Sequence, residues 1–507
     1  DPMTEAIIDN PTYLKDVRHF FVEEDLIHMS RRGHDLSTYQ GLKNDANSVL
    51  QLTAPPDATM PPPETGRAWS AERNQSFLNW MTNGFAIGTP TLQQPQHSPA
   101  GRVRKDVRDL STDEIAALAR AFRDLMGRRP DDETSYFYLA GIHGLPDVAY
   151  CKHHQDLYNP WHRVYLRKFE DALRTVQGCA DMTLPYWDVT SAAPDFLYQP
   201  PFDSYDVPID IESPDLFPGH PTTRLDAATI QTRMTDRGVP DAISQALKQP
   251  IWHDFNNIGN PRSIVAAHDN GHLAIGGTLP KQEIAAFDPL FWFFHANWDR
   301  LWWEWQQIMQ ATTCWTFRST VVSPTETGAT LGAAVRFLKS GFNALEPWSE
   351  KSETTISLSA MDTAYAQPHA AVERSDADQP IRPGFGNFSA AQRMRVRADP
   401  LVSVRLKGLN RLVIPGSFEA ILKADGQPIA RRGFFQATDP NRCENCRDLG
   451  VIDLDFLVDA AAITGRDLTV DLEVVDTAEG MSPRFPLGAA GNPTLNVRML
   501  LGEAQSP

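Results

Sequence analysis

The stretch from Phe287 to Trp305 constrains the fold more than any other part of this chain. It reads FDPLFWFFHANWDRLWWEW and carries nine aromatic rings around one histidine, His295. Asp288 and Pro289 suit the N-cap and first turn of a helix, so the stretch predicts a helix that is apolar on every side and therefore buried. An imidazole inside it needs a partner for both ring nitrogens, and a metal ion is one such partner. A core histidine with a single hydrogen bond is the alternative.

Composition limits the classes of protein to which the chain can belong. It has 507 residues, a hydrophobic share of 41% and a charged share of 22%, which suit a globular protein of two or three domains. The net charge of −17 argues against nucleic-acid binding, and no apolar run approaches the ~18 residues of a membrane span. Five cysteines are too few for a disulfide scaffold. We expect a cytoplasmic enzyme, and a homo-oligomer is left open.

The texture of the sequence divides the chain into four segments. Residues 1–100 combine helical stretches with a proline-rich break and predict an extension that acts as a lid or a subunit contact. Residues 101–348 are rich in helical patterns and hold nine of the fourteen histidines. Residues 349–400, rich in Ser, Ala, Asp and Pro, predict a linker. Residues 401–507 contain short, alternating β-branched stretches, which predict an all-β, sandwich-like domain.

One group of three histidines lies in the second half of the helix-rich segment. His268 and His272 are four residues apart, so both imidazoles fall on the same helix face and can reach one metal ion. His295 would complete the group. Asn297, Asp299 or a backbone carbonyl could then accept a hydrogen bond from the other ring nitrogen of His295 and fix its tautomer.

A second group lies upstream. His143 ends an aromatic helical stretch that Pro146 stops, while His153 and His162 are nine residues apart. Nine residues are two and a half turns, so one continuous helix would place these two on opposite faces. Pro160 resolves this because it starts a new helix containing His162 and leaves His153 on the irregular segment before it. The two groups together predict two three-histidine sites, which suit Cu, Zn or Fe and leave positions open for O₂.

Together these motifs resemble the type-3 copper proteins, the family of tyrosinases, polyphenol or catechol oxidases and, more distantly, haemocyanins. The resemblance runs over about 200 residues, and the motifs stand in the family's order. They are C-x-H and WHR between Cys151 and Arg163, LPYWD at Leu184 to Asp188, H-x-x-x-H at His268 to His272, DP-x-F-W at Asp288 to Trp292, and H-x-N-x-D-R at His295 to Arg300.

The resemblance implies an antiparallel four-helix bundle around two copper ions, followed by a C-terminal β-domain. The implied reaction uses O₂ to hydroxylate monophenols to o-diphenols and to oxidise o-diphenols to o-quinones. In fungal and molluscan relatives a cysteine two residues before the second ligand forms a thioether to that ligand, which here implies a bond from Cys151 to His153. The implied ligands are His143, His153 and His162 for the first copper, and His268, His272 and His295 for the second.

Two positions depart from the family pattern. Many relatives hold a water for the phenol proton with a glutamate shortly before a ligand of the second site, but residues 263–267 contain none. Asp269 is the candidate catalytic residue instead, holding such a water itself or bonding an adjacent imidazole, and Asp254 is a further candidate for holding the water. Plant relatives place a gating phenylalanine where this chain has Gln282. A diphenolase-only catechol oxidase and an o-aminophenol oxidase therefore remain alternatives.

The β-domain offers two further hypotheses. Many relatives cover the active site with this domain and insert a bulky side chain, for which Phe434 and Phe435 are the candidates unless both are core residues. Cys443 and Cys446 form a C-x-x-C pair that could donate Cu(I), form a disulfide or stay unused.

Two different functions could use the same histidines. A haemocyanin-like O₂ carrier would bind O₂ without turnover of a phenol. A zinc hydrolase would need a base, and this chain lacks H-E-x-x-H and offers only Asp269.

Overall fold

A computed structural model describes residues 5–92, 101–145, 150–207, 221–321, 344–366, 401–475 and 484–499 of the chain. Pro146, predicted to stop a helix after His143, lies outside these residues. Among the described residues, no helix has both the length and the apolar character that crossing a membrane requires.

The helices fall mainly in the first two thirds of the chain. We number those of the described residues α1 (Glu23–Ser30), α2 (Tyr39–Thr53), α3 (Ala71–Thr82), α4 (Thr112–Gly127), α5 (Tyr136–Gly141), α6 (Tyr158–Arg174), α7 (Ala227–Asp236), α8 (Val239–Ala246), α9 (Trp252–Asn256), α10 (Ile264–Ile275), α11 (Leu290–Ile308), α12 (Cys314–Arg318), α13 (Glu444–Asp448) and α14 (Ala460–Ile463).

The strands fall mainly in the C-terminal part. They are β1 (Arg102–Arg104), β2 (Thr363–Tyr365), β3 (Leu401–Asn410), β4 (Phe418–Ala424), β5 (Gln427–Phe434), β6 (Val451–Asp459), β7 (Leu468–Val474), β8 (Arg484–Phe485) and β9 (Thr494–Met499).

Local signals set the helix boundaries of the central unit. The predicted capping box of α4 is present, with Ser111 accepting from the Glu114 N–H and the Glu114 side chain accepting from the Ser111 N–H at 2.8 Å. Helix α6 begins at Tyr158, so Pro160 lies in its first turn, where proline is tolerated, and His153 lies in the turn before it. Pro289 takes the N-cap position of α11, and Asp288 just before it accepts from the Leu290 N–H at 2.9 Å, so both residues lie one position earlier than predicted.

A buried charge network joins α6 to α11. The Asp299 carboxylate on α11 accepts from Arg163 Nε on α6 at 2.5 Å, from Arg104 Nη1 at 3.1 Å and from the Tyr365 hydroxyl at 2.6 Å. These side chains are almost fully buried, and Glu170 also pairs with Arg104. The arginine of the WHR motif and the aspartate of the H-x-N-x-D-R motif are therefore partners, and their pairing orders the two helices that carry His162 and His295.

Replacing Asp299 with alanine is expected to lower the free energy of unfolding of the metal-free protein by about 3–5 kcal/mol, because it leaves the buried Arg163 guanidinium without its counter-charge. Urea unfolding monitored by circular dichroism measures this. The matched control is Asp131→Ala, which removes a carboxylate paired with Arg129 on the surface and should leave the midpoint unchanged. An Asp299→Ala midpoint equal to that of the wild type would refute the structural role of the network.

The helical unit extends further along the chain than the sequence predicts. Strand β2 pairs in parallel with β1, and the Tyr365 hydroxyl reaches Asp299. Ile356 and Leu358 are also buried. The segment predicted as a linker, residues 349–400, therefore contributes residues 349–366 to the helical unit, while residues 367–400 lie outside the described residues. A three-residue strand in a Ser- and Asp-rich context is too short to show periodicity.

The C-terminal unit is a sandwich of two antiparallel sheets. Their strand orders are β6-β3-β9 and β5-β4-β7-β8. Together with the helical core this confirms the predicted fold class. The buried residues of both units belong to one continuous hydrophobic core, so the β-domain is docked on the helices and not merely tethered to them.

Strand β5 docks directly on α10, the helix of His268 and His272. The Gly433 N–H donates to Asn270 Oδ1 at 2.6 Å, and a Cβ at Gly433 would lie 2.7 Å from that oxygen and 3.0 Å from Leu273 Cδ2. Only glycine permits this approach without displacing α10 or β5. The β-domain therefore covers the face of α10 that leads to the histidines.

The N-terminal unit packs at the C-terminal end of α11. Residues 5–92 build their own aromatic core, which includes Trp69, Phe77 and Trp80. Arg18 donates to the Met309 carbonyl at 2.9 Å and to Ser319 Oγ at 3.1 Å. Met309 lies fourteen residues beyond His295, about 21 Å along the helix axis. These contacts lie away from His295, and both roles predicted for residues 1–100, a lid and a subunit contact, stay predictions.

Candidate metal centre

The fold brings the six predicted histidine ligands into one buried cavity. All six side chains are buried, and the two groups face each other: the His162 ring stacks on the His295 ring with centroids 4.7 Å apart, and the rings of His153 and His268 lie 5.6 Å apart. They come from α6, α10, α11 and the segments around α5 and before α6.

The second group fits a metal ion by its hydrogen bonds alone. The His272 Nδ1–H donates to the Leu279 carbonyl at 2.8 Å, and the His268 Nδ1–H to Asp269 Oδ1 at 2.9 Å. Both Nε2 atoms are then bare acceptors, yet they lie 2.9 Å apart, and His272 Nε2 lies 3.2 Å from His295 Nε2. The lone pairs of His268 and His272 at this distance repel one another unless a cation lies between them.

The first group has the same arrangement with wider spacing. The Nδ1–H groups of His143 and His162 donate to the carbonyls of Gln282 and Tyr158, each at 2.8 Å. Within the described part of the chain, neither Nε2 has a partner, and neither do the two ring nitrogens of His153. Buried imidazole nitrogens left this way cost several kcal/mol in an apolar site, roughly as for other buried polar groups, so the set fits a second ion.

His162 lies slightly apart from its group. Ligand atoms of His143, Cys151 and His153 all lie within 4.8 Å of one another, and His162 is outside that set. Its ring centroid lies 5.1 Å from that of His153 and 5.9 Å from that of His143. The structure thus places His162 beside the first group and against His295, between the two sites. Its assignment to the first metal stays a prediction.

Burial keeps the imidazoles neutral, as metal binding requires. Desolvation lowers the pKa of His143 to about 3 and holds the pKa values of His153, His162, His272 and His295 well below the ordinary value. A ring with a lowered pKa is unprotonated at neutral pH and offers its lone pair to a cation.

The aromatic run surrounds His295 as a dry shell. The Phe291 ring centroid lies 4.0 Å from that of His295, and Phe294 lies 4.9 Å from His272 and packs edge-on against Trp298. Asn297 and Asp299, predicted partners of His295, instead bind Arg300 and Arg163. The Nδ1 of His295 has no partner among the described residues.

Asp269 is a hub of hydrogen bonds and not a free base. Its Oδ1 accepts from His268, and its Oδ2 accepts from His154 Nε2 at 2.8 Å and from the Phe435 N–H at 3.0 Å. Burial raises the pKa of Asp269, but His154 and His268 lower it more, to about 2. Of the two roles predicted for Asp269, this geometry fits the bond to an adjacent imidazole; a catalytic role stays a prediction.

Asp269→Asn is expected to weaken copper binding by about ten- to a hundredfold, because the amide cannot accept from both histidines and the backbone at once. Competition with a chelator of known affinity measures this. Asp241→Asn, an exposed acid on α8, is the matched control and should bind copper as the wild type does. Unchanged affinity in Asp269→Asn would show that the carboxylate does not orient His268.

His154, next to the predicted ligand His153, is predicted from the sequence either to face solvent or to support the ligands. The structure buries it with a φ of 60° and excludes the solvent-facing position. Its Nε2 faces Asp269, its Nδ1 lies 3.3 Å from Arg411 Nη1, and its ring lies 4.3 Å from Phe434. His154 therefore connects Asp269 to the β-domain.

Cys151 and Gln282 lie together under the first group. The Cys151 thiol is buried, its sulfur lies close to the nitrogens of His143 and His153, and burial raises its pKa to about 12. The thioether to His153 stays a prediction. Gln282 donates from Nε2 to Cys151 Sγ at 3.1 Å while its carbonyl accepts from His143. Gln282, which stands where plant relatives have the gating phenylalanine, thus holds Cys151 and His143 of the first group.

Phe435 is the β-domain side chain that enters the cavity. Its ring stacks on His272 with centroids 3.9 Å apart and planes 16° apart, and it lies 5.0 Å from His153. Phe434 points the other way and stacks on Phe418 at 5.2 Å inside the sandwich. Of the two predicted alternatives, Phe435 is therefore the inserted side chain and Phe434 is a core residue of the sandwich.

Cys443 and Cys446 are joined in a disulfide, one of the three states left open for the pair. Both are buried. As a disulfide the sulfurs are not thiolate ligands, and no described contact supports a copper donor, which stays a prediction.

Comparison with known proteins agrees with this geometry. Residues 133–308 match the family model described as the common central domain of tyrosinase. The chain is 28% identical over 345 residues to polyphenol oxidase 4 of Agaricus bisporus, covering 52% of this chain and 55% of that protein. It is 27% identical over 258 residues to tyrosinase HcTyr1 of Hahella sp., covering 40% and 53%.

A haemocyanin is also among the similar proteins. The haemocyanin 2-c chain of Megathura crenulata is 30% identical over 233 residues, covering 41% of this chain and 54% of that one. The chain thus spans about half the length of each of these three relatives.

Solved structures share the fold. A tyrosinase from Burkholderia thailandensis superposes with a TM-score of 0.56 at 18% identity, covering 79% of this chain and 100% of that one. A functional unit of octopus haemocyanin gives 0.53 at 16%, covering 78% and 99%.

Proposed function

Over residues 133–308 the chain belongs to the type-3 copper family of tyrosinases and polyphenol oxidases, and from this premise we propose that it is a phenol oxidase. It would use O₂ to hydroxylate monophenols to o-diphenols and to oxidise o-diphenols to o-quinones. When bound, a pair of copper ions supplies the redox chemistry with O₂. The residues that would hold the pair are the six buried histidines of the metal centre.

The position of Phe435 carries the proposal for a phenolic substrate. Its ring lies flat against the imidazole of His272, so it stands in for a planar six-membered ring beside a metal ligand. A phenol in that place would lie within the same dry aromatic shell, with its hydroxyl directed towards the histidines. In the docked state Phe435 occupies this space, so we propose that the full chain is latent until the β-domain moves.

The protein's own contribution is positioning and exclusion of water. Backbone carbonyls and Asp269 each hold an imidazole in one tautomer, namely those of His143, His162, His268 and His272. The rings of Phe291 and Phe294 keep the cavity dry. The base that removes the proton of the phenol hydroxyl is not assigned. Both carboxylate oxygens of Asp269 already accept hydrogen bonds, and residues 263–267 carry no carboxylate.

That shortage of a base favours one specific alternative, a diphenolase-only catechol oxidase. O₂ uptake by the copper-loaded Phe435→Ala protein tests it, with a monophenol, a catechol and an o-aminophenol assayed side by side. Uptake with all three supports the full proposal. Uptake without the monophenol indicates a diphenolase, and uptake with the aminophenol alone indicates an o-aminophenol oxidase.

The haemocyanin relatives favour a second candidate, reversible O₂ binding without turnover. The same assay separates the two, because a carrier takes up O₂ once per metal pair while an oxidase continues until substrate is exhausted. Cytoplasmic localisation and a homo-oligomer remain predictions.

A further inference from the structure

Residues 151–155 carry His153 and are held from both sides. From the helical unit, Asn256 Nδ2 donates to the Gln155 carbonyl at 3.1 Å. From the β-domain, Asn445 Nδ2 donates to the Cys151 carbonyl at 2.9 Å, and Gln155 Nε2 donates to Asn445 Oδ1 at 2.7 Å. Asn445 therefore uses both ends of its amide to hold the two ends of the segment that positions His153.

Asn445 is itself held by the disulfide. It lies between Cys443 and Cys446, at the start of the five-residue helix α13. Cys443 Sγ also accepts from the Cys446 N–H at 3.2 Å, so the bond closes a small ring around the backbone that presents Asn445. The Asn445 side chain is buried and reaches across the domain boundary.

We propose that Asn445 is a positioning residue for the His153 segment and that the Cys443–Cys446 disulfide controls it. A dithiol reductant breaks the bond by thiol–disulfide exchange: it passes two electrons and two protons to the cysteine pair and becomes a disulfide itself. With the ring open, α13 loses its covalent constraint and Asn445 releases residues 151–155. In an oxidising compartment the segment is held, and in a reducing one it is loosened. The consequence for catalysis rests on the proposed function; the contact itself does not.

The test uses the metal-free protein and the reactivity of Cys151. Cys151 is a free, buried thiol at the start of the segment, so its alkylation by iodoacetamide requires local opening. Asn445→Ala and the double variant Cys443→Ser/Cys446→Ser are each expected to speed alkylation of Cys151 by about tenfold. Each change removes the two hydrogen bonds of Asn445 and so lowers the free energy of local opening. Peptide mass spectrometry measures the rate, and Cys179, buried elsewhere, serves as the internal reference.

The combined variant decides whether the disulfide acts through Asn445. If it does, the triple variant labels no faster than either parent, because both changes remove the same contact. Asn256→Ala is the matched control: it loosens the segment from the helical side, so its effect should multiply with that of the serine pair. Asn445→Asp keeps the acceptor for Gln155 and loses the donor to Cys151, so its rate should fall between those of Asn445→Ala and the wild type.

Three results would overturn the proposal. They are a wild-type labelling rate in the serine pair, multiplied effects in the triple variant, and equal acceleration at Cys179, which would mean general unfolding. A copper-loaded readout adds a check: release of copper to a chelator should be faster in Asn445→Ala and in the serine pair, and no faster when the changes are combined. An absence of oxidase activity would refute the proposed function and leave these rates unaffected.

Discussion

Replacing His295 with alanine is expected to leave the copper-reconstituted protein with about one copper ion per chain and to reduce catechol oxidation by more than about a hundredfold. His295 Nε2 lies 3.2 Å from His272 Nε2, and the His295 ring stacks on that of His162 at 4.7 Å. Its loss removes a ligand from the second group and opens a space between the two sites. Metal analysis of the purified variant and O₂ uptake with a catechol measure the two effects.

The matched control for this change is His253→Ala. His253 is exposed on α9, and its hydrogen-bond partner among the described residues is Asn257, so its removal tests the loss of an imidazole without loss of the cavity. It should bind two copper ions and oxidise catechol at the wild-type rate. Two copper ions and normal turnover in His295→Ala would contradict the assignment of His295.

Replacing Phe435 with alanine is expected to raise the catechol oxidase activity of the full-length, copper-loaded protein by about ten- to a hundredfold, the range that burial of one phenylalanine side chain spans. The ring now lies 3.9 Å from His272, in the space proposed for the substrate. Strand β5 stays docked through Gly433 and Asn270, so the variant empties the cavity without releasing the domain. The ratio kcat/KM from O₂ uptake measures the gain.

Phe434→Leu is the control for general loosening of the β-domain. Phe434 stacks on Phe418 inside the sandwich, so this change reduces core packing and leaves the ring of Phe435 in place. Its activity should match that of the wild type. Equal activity of Phe435→Ala and the wild type would mean that the ring does not exclude substrate.

Much of the candidate site could be predicted because its signals are local. The four-residue spacing of His268 and His272, the bond from the Leu290 N–H to Asp288 and the proline in the first turn of α6 each act within one or two helical turns. Residues 133–308 match the family model for the central domain of tyrosinase, as the sequence motifs predict, and the predicted copper pair agrees with the two histidine groups. The helical core and the β-sandwich are also as predicted.

Other features had no local signal. Asp299 lies four residues after His295, which suggested a bond between them, yet it binds Arg163 from another helix. Residues 349–366 have a loop-like composition, but β2 pairs with a strand about 260 residues earlier in the chain. Such contacts depend on which surfaces meet after folding, and short sequence windows do not contain them.

The sequence by itself determined where the helices that carry histidine form, which face the histidines share and that they make two groups of three. It could do so because helix periodicity and capping act over a few residues. Only the tertiary structure decided that Phe435 and not Phe434 enters the cavity, that Asp269 is held by His154, and that Asn445 reaches the segment of His153. These depend on how the β-domain docks on the helices. His154 and Asp269 are 115 residues apart in the chain, and Cys151 and Asn445 are 294 residues apart. Residues so far apart meet only when complete domains pack together.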